Sequence, residues 1–433
     1  MTPFVTGLSG ITLMLMLLFL RQPVWLALTL IGLGGNILLN SVFSAKFLAG
    51  TTMFDVASSY NLSVIPLFIL MGEIATGSRM SAELFNAARV MLSGLRGGLG
   101  IATLTASAAF GAICGSSVAT AASMTRIAMP EMARAGYDRG YSAATVASGG
   151  SLGILIPPSI ILVIYASITE TSIARLFAAS MIPGLVLLLL YIAIAMLVAG
   201  RGETTREAPA TLRQRLTALR EPWQFVLLFV LTIGGIYAGL FSPTEAASVG
   251  AFGAITLGFL RGTLKVDGLI EAIRNSVAVS CALFMIIIGA TLFSNFVVQT
   301  RLPDNLLGLA EQAGLSVWMV MALIVAIYIL LGCFLEGIGM VLITVPVFLP
   351  IVVQYGFDPI WFGVFVVVLV ELGLITPPVG MNLFIIRAQV RDMPMATLYR
   401  AILPFLLAPV VLVALLFAVP GLALWLPRVL YGG

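Results

Sequence analysis

The chain has 433 residues, 60% of them hydrophobic and only 9% charged, with a formal net charge of +4. Ordinary soluble domains carry about 25% charged residues, so the composition excludes a soluble enzyme and describes an all-α polytopic membrane protein. The absence of histidine removes His-based proton relays, Ser-His hydrolysis, HExxH metal sites and haem ligation.

Crossing the ~30 Å hydrocarbon core takes about 20 helical residues. Apolar runs predict spans at 4–20, 24–42, 57–78, 140–166, 173–199, 223–241, 244–260, 277–299, 359–386 and 403–426. No Lys or Arg precedes the first run, so it reads as a retained span and not as a signal peptide. Two regions, 97–131 and 315–352, each hold two segments of roughly 15 residues around a Gly-rich break, long enough to enter the membrane and return as hairpins. The only long polar stretch, Gly200 to Pro222, divides the chain into a first half, 1–200, a linker, 201–222, and a second half, 223–433. Amphipathic segments at 79–94 and 263–276 fit interfacial arms. Cys114, Cys281 and Cys333 sit in apolar surroundings and read as small buried hydrophobes. Glu245 in "PTEAA" reads as a helix cap.

The charges orient these elements. With the Arg-rich linker in the cytoplasm, seventeen Lys and Arg residues fall inside, from Arg21 to Arg400 and including Arg201 and Arg206. Only Lys46, Arg175, Arg301 and Arg428 fall outside, and Arg126 lies within the first hairpin. Such a bias predicts that both termini face outward, in the inner membrane of a bacterium or archaeon.

The chain also repeats itself. A shift of 220 carries Leu152, Gly153, Pro157 and Pro158 onto Leu372, Gly373, Pro377 and Pro378, and Pro130 onto Pro350. Each half then has five crossings and one hairpin, so the second half starts on the opposite face and the repeat is inverted, an architecture of secondary transporters. The shared "GILIPP" and "GLITPP" interrupt the helices at 140–166 and 359–386. Proline has no N–H and clashes with the preceding turn, so carbonyls around Gly153 to Ile156 lose their helical partners. Bare carbonyls in lipid cost several kcal/mol each. A bound cation or neighbouring Ser and Thr groups would take them up. Opposite the breaks stand the hairpin tips: "GAICGSSVAT" with Gly115, Ser116, Ser117 and Thr120, and "LGCFLEGIGMVLIT" with Gly332, Gly337, Gly339 and Thr344. Small neutral oxygens suit a monovalent hard cation, Na+ first; helix capping is the simpler role for the same residues. Glu336 and Glu371 fit either cation binding or capping, and Arg126 fits snorkelling or solute contact.

The stretches "CGSSVATAASMTRIAMPEMARAGYDRGYSAATVASGGSLGILIPPSIILVIYA", "GLFSPTEAASVGAFGA" and "ELGLITPPVGMNLFI" resemble the large membrane subunit of tripartite ATP-independent periplasmic (TRAP) transporters. The resemblance covers essentially the whole chain. It implies an elevator-type transporter of the ion-transporter-like fold that takes up C4-dicarboxylates, sialic acid or similar organic acids with Na+. It also implies two partners: a small four-helix membrane subunit and a periplasmic substrate-binding protein. Carried over by position, one sodium site falls at Gly111, Ser116, Gly153, Ile156 and Ser159, and the other at Gly332, Gly337, Gly373, Thr376 and Val379. Ser117, Thr120, Thr344 and Asn382 are the candidate solute-binding residues. A self-sufficient sodium/anion symporter is the alternative. An intramembrane hydrolase lacks its base, and paired occluding hairpins disfavour a channel.

Overall fold

The computed structural model describes residues 2–199 and 208–432; Arg201 and Arg206 of the linker lie outside the described residues. The described residues are helical throughout, without strands. Four helices are individually long and apolar enough to cross a membrane: Ile173–Ala199, Val266–Gln299, Gly337–Gln354 and Met395–Ala418. Two bent pairs, Val42–Ser58 with Asn61–Gly77 and Leu212–Arg220 with Trp223–Tyr237, pass together. Six apolar helices stop short of that length, among them both first arms of the hairpins.

The spans form two packed bodies. The first is a scaffold built from Pro3–Phe19, Val24–Leu39, Asn61–Gly77, Pro243–Leu260 and Val266–Gln299. Its centre is a close crossing of Val24–Leu39 and Val266–Gln299. There the hydrophobic effect offers no drive between helices, and small residues let backbones approach. A Cβ on Gly32 would lie 2.6 Å from the Leu292 carbonyl carbon, and one on Gly289 would lie 2.8 Å from the Trp25 carbonyl oxygen. Polar groups close the Asn36–Asn40 end of the same crossing. The Gln299 amide donates to Asn36 Oδ1 at 2.8 Å and accepts from Asn40 Nδ2 at 2.6 Å.

The second body holds the hairpins and the interrupted helices. The first hairpin pairs Gly98–Cys114 with Ser117–Arg134, and the second pairs Val317–Gly332 with Gly337–Gln354. The first interrupted helix runs Arg139–Ser151, then Ile160–Thr169; the second runs Pro359–Ile375, then Met381–Gln389. Packing is exchanged between halves. The second arm of the first hairpin packs on Met381–Gln389, and that of the second hairpin packs on Ile160–Thr169. The two halves therefore interlock about a common centre. Trp361, with none of its surface exposed, donates from Nε1 to the Leu416 carbonyl at 2.9 Å and stacks on Phe357 and Phe365. Tyr165 ties the halves directly, its hydroxyl donating to the Pro359 carbonyl at 2.6 Å.

Two sequence expectations need correction. The segment 263–276 is no separate arm, because it begins the continuous 34-residue helix Val266–Gln299. The counterpart of the arm Met80–Met91 is Leu302–Gln312, which follows that helix. In the first half the equivalent of the long helix is bent by 57° between Val42–Ser58 and Asn61–Gly77. Ser59 is extended, and Pro66 falls in the first turn of the restarted helix, where its missing N–H is tolerated. Cys281 is exposed on its helix, unlike Cys114 and Cys333. Glu245 does cap: its carboxylate accepts from Ser242 N–H at 2.7 Å while Ser242 Oγ accepts from Glu245 N–H at 3.3 Å.

Gly32→Leu is expected to force the central scaffold crossing apart and to lower stability by about 1–3 kcal/mol. Thermal unfolding of the purified protein checks this; an unchanged transition contradicts the close-packed crossing.

Candidate functional site

The first break starts where Arg139–Ser151 tightens into a turn over Leu152–Ile154. Pro157 and Pro158, joined by a cis peptide bond, have no N–H to offer the Gly153 and Ile154 carbonyls four residues back. Ser159 repairs half of this loss. Its hydroxyl donates to the Ile154 carbonyl at 2.5 Å and accepts from Leu162 N–H at 3.4 Å, capping the helix that restarts at Ile160. The Gly153 carbonyl is left for another partner.

The tip of the first hairpin closes over this break. Its first arm ends at Gly115, whose φ of +62° needs glycine and whose N–H donates to the Gly111 carbonyl at 2.7 Å. Ser116 starts the second arm, its Oγ accepting from Ala119 N–H at 3.3 Å, and Thr120 Oγ1 donates to the Ser116 carbonyl at 2.8 Å. Main chain meets main chain where tip and break touch. A Cβ on Gly111 would lie 2.4 Å from Gly153 Cα, and one on Gly153 would lie 2.9 Å from Thr120 Oγ1 and 3.2 Å from the Ser116 carbonyl oxygen. Gly111, Ser116 and Gly153 thus converge, as does Thr120, placed here with the candidate cation ligands. Ile156 points its side chain at Gly184, and Ser159 is engaged with Ile154.

The second cluster is built alike but is not identical. A Cβ on Gly332 would lie 2.7 Å from Gly373 Cα, and the reverse distance is also 2.7 Å. Thr376 Oγ1 donates to the Leu372 carbonyl at 2.5 Å, and Thr376 N–H to the Gly373 carbonyl at 3.2 Å. Pro377 and Pro378 are also joined by a cis bond. Here the helix restarts one position later, from Gly380 at φ +59°, so half-exposed Val379 sits in the turn and no side chain caps the restart. Cys333 Sγ and the Tyr399 hydroxyl bond the Pro377 and Pro378 carbonyls instead. Tyr399 was not legible in the sequence, since it lies outside both repeats of the proline motif. Gly337 begins the second arm and touches both halves: a Cβ there would lie 2.7 Å from Val370 and 3.3 Å from Ile161. Glu336 precedes it at the cap position, but its side chain makes no cap hydrogen bond.

Between the two tips lies a cavity of about 250 Å³. Ser116, Ser117, Glu336 and Gly337 line it from the tips, Ile160, Ile161, Leu374 and Met381 from the interrupted helices, and Val279 and Leu283 from the scaffold. Of the four candidate solute residues only Ser117 borders it. Thr120 turns to the first cluster; Thr344, buried, donates to the Met340 carbonyl at 2.7 Å and pairs with the Tyr328 hydroxyl; Asn382, buried, donates to the Ala147 carbonyl at 3.3 Å. About one turn along Val266–Gln299, from Val279 to Asn275, a second, polar cavity of about 610 Å³ opens, lined by Glu73, Thr76, Arg126, Lys265, Glu271 and Asn275 among others. Arg126 therefore faces a wet vestibule, away from the tips. Beside it, the arm Met80–Met91 links the two bodies through ion pairs Glu83–Arg261 at 2.6 Å and Arg89–Glu131 at 3.1 Å.

Two hairpins whose tips meet two interrupted helices beside a shared cavity define a membrane protein of the secondary-transporter class. The family model described as "Tripartite ATP-independent periplasmic transporter, DctM component" matches residues 11–422, and the chain belongs to this family. It is 37% identical to the C4-dicarboxylate TRAP transporter large permease protein DctM of Pseudomonas aeruginosa, covering 92% of this chain and 93% of that one. Identity is 31% to the sialic acid TRAP transporter large permease protein SiaM of Vibrio cholerae, over 96% of this chain and 97% of that one. The ectoine/5-hydroxyectoine TRAP transporter large permease protein UehC of Ruegeria pomeroyi is 33% identical over 84% of this chain and 86% of its own. Among solved structures, the YdaH transporter of Alcanivorax borkumensis superposes with a TM-score of 0.63 at 16% identity, over 89% of this chain and 90% of that one. The likeness to YdaH is one of fold.

Ser159→Ala removes both the cap and the donor to the Ile154 carbonyl. It is expected to lower stability by about 1–3 kcal/mol. Thermal unfolding of the purified variant checks this, and a variant that melts like the wild type contradicts the role given to this hydroxyl.

Proposed function

We propose that this chain is the permease through which an organic acid enters the cell together with Na+, a C4-dicarboxylate, sialic acid or a similar carboxylate being the solute. One observation carries the reading: each proline break is closed by a glycine-rich hairpin tip, main chain against main chain, on either side of one cavity. Carbonyls freed by the prolines, with hydroxyls from the tips, make neutral oxygen clusters that suit a monovalent cation. A bound cation would hold tip and break together, while the cavity between the tips receives the solute. Both tips would then be ordered only when the ions are present, which couples solute binding to sodium.

Transport follows if the hairpins and interrupted helices move as one body past the scaffold, with the arms Met80–Met91 and Leu302–Gln312 as connectors. The positive-inside orientation puts Gly72, Thr76 and Val24 toward the cytoplasm. The tips lie against those residues, because a Cβ on Gly72 would be 3.0 Å from the Cys114 carbonyl oxygen and one on Gly339 would be 3.2 Å from Val24. This supports an inward-facing position, with the polar vestibule as the exit. Carrying two sodium ions inward through ~100 mV releases about 4.6 kcal/mol, enough for roughly thousandfold accumulation of a neutral solute. An anionic solute needs further cations to keep the step electrogenic. The proposed assembly includes a small membrane subunit and a periplasmic binding protein that delivers the solute.

Reconstituted with those two partners in liposomes, the chain is expected to accumulate radiolabelled organic acid only under an inward sodium gradient. Uptake undiminished in sodium-free buffer contradicts the coupling, and full uptake without the binding protein favours a self-sufficient symporter.

A further inference from the structure

One buried charge in the moving body is used by nothing described above. Glu371 stands near the end of Pro359–Ile375 with none of its surface exposed, and neither carboxylate oxygen has a hydrogen-bond partner. Residues two apart on a helix project to different faces, so its side chain diverges from Gly373, which meets Gly332 of the hairpin. Under the 220-residue shift its counterpart is Ser151. The elements carrying both positions, Arg139–Ser151 and Pro359–Ile375, pack against Ile173–Ala199, which carries Tyr191. Ser151 Oγ lies 3.1 Å from the hydroxyl of fully buried Tyr191.

Further oxygens in this part of the interior are equally unserved. Ser148, one turn before Ser151, has a buried hydroxyl without a partner, and so does the Asn382 Oδ1 atom, whose amide nitrogen is held by the Ala147 carbonyl at 3.3 Å. A buried carboxylate with no donor bonded to it needs a counter-charge. A proton would neutralise the acid yet serve only one acceptor, whereas a sodium ion serves several oxygens at once. A single carboxylate among neutral oxygens matches a monovalent ion better than a divalent one.

We propose that Glu371 is the charge-bearing ligand of a further sodium ion, held between the two interrupted helices with neutral oxygens from Tyr191, Ser148 and Asn382. This site is additional to the two clusters at the hairpin tips and can fail without them. It also supplies what an anionic solute requires, an extra cation carried on the same moving body.

The test uses the purified full chain in nanodiscs and 22Na+ alone as the probe. Glu371→Gln keeps the shape and removes the charge; it is expected to bind one sodium ion fewer per chain than the wild type. Glu371→Asp keeps the charge but withdraws it by one methylene, and should retain the count while needing roughly tenfold more sodium for half-saturation. Equal counts and affinities in wild type and both variants overturn the proposal, leaving Glu371 a neutral acid. Absence of 22Na+ binding to the wild type would instead overturn the sodium-coupled function as a whole.

Discussion

The rest of the structure depends on the main-chain polar groups that Pro157, Pro158, Pro377 and Pro378 leave unpaired in the middle of a membrane protein. Lipid offers them nothing, so non-helical backbone survives at that depth only when protein or an ion serves it. The hairpins come up against both breaks. Each brings a tip of glycines and small polar residues against a break, and Gly111 with Gly153, and Gly332 with Gly373, allow approach to a distance that any side chain would prevent. The cavity between the tips is a consequence of the same geometry, since two breaks served from opposite sides leave a gap where the tips face each other.

The two halves solve one problem with different groups. In the first, Ser159 both caps the restarted helix and serves the Ile154 carbonyl. In the second, Val379 has no hydroxyl, the helix restarts a residue later at Gly380, and Cys333 and Tyr399 reach in from elsewhere. The scaffold breaks the repeat in the same way: a continuous 34-residue helix in one half stands for a pair bent by 57° in the other.

Much of this was legible in the sequence. Apolar runs and the proline motif placed most of the apolar helices, both hairpins and both interruptions, because backbone chemistry at proline and glycine is local; Val42–Ser58 and Leu302–Gln312 were not among them. Side-chain destinations were less legible. The family resemblance offered Thr120, Thr344 and Asn382 as solute donors, and the structure adds their partners within the protein, the Ser116, Met340 and Ala147 carbonyls. A hydroxyl one turn along a helix finds its own backbone first, and that competition does not show in residue spacing. The arm at 263–276 was misplaced because amphipathicity alone cannot separate a free interfacial helix from the wetted end of a long span. Tyr399, serving a break 21 residues upstream, left no periodic trace.

The central claim is that sodium ties each tip to its break, and amide hydrogen–deuterium exchange with and without sodium tests it directly. The account predicts that sodium slows exchange in four segments together, at residues 111–120, 152–163, 332–340 and 373–383, while the scaffold crossing is unaffected. Exchange at the tips and breaks that is the same in sodium and in choline would contradict it.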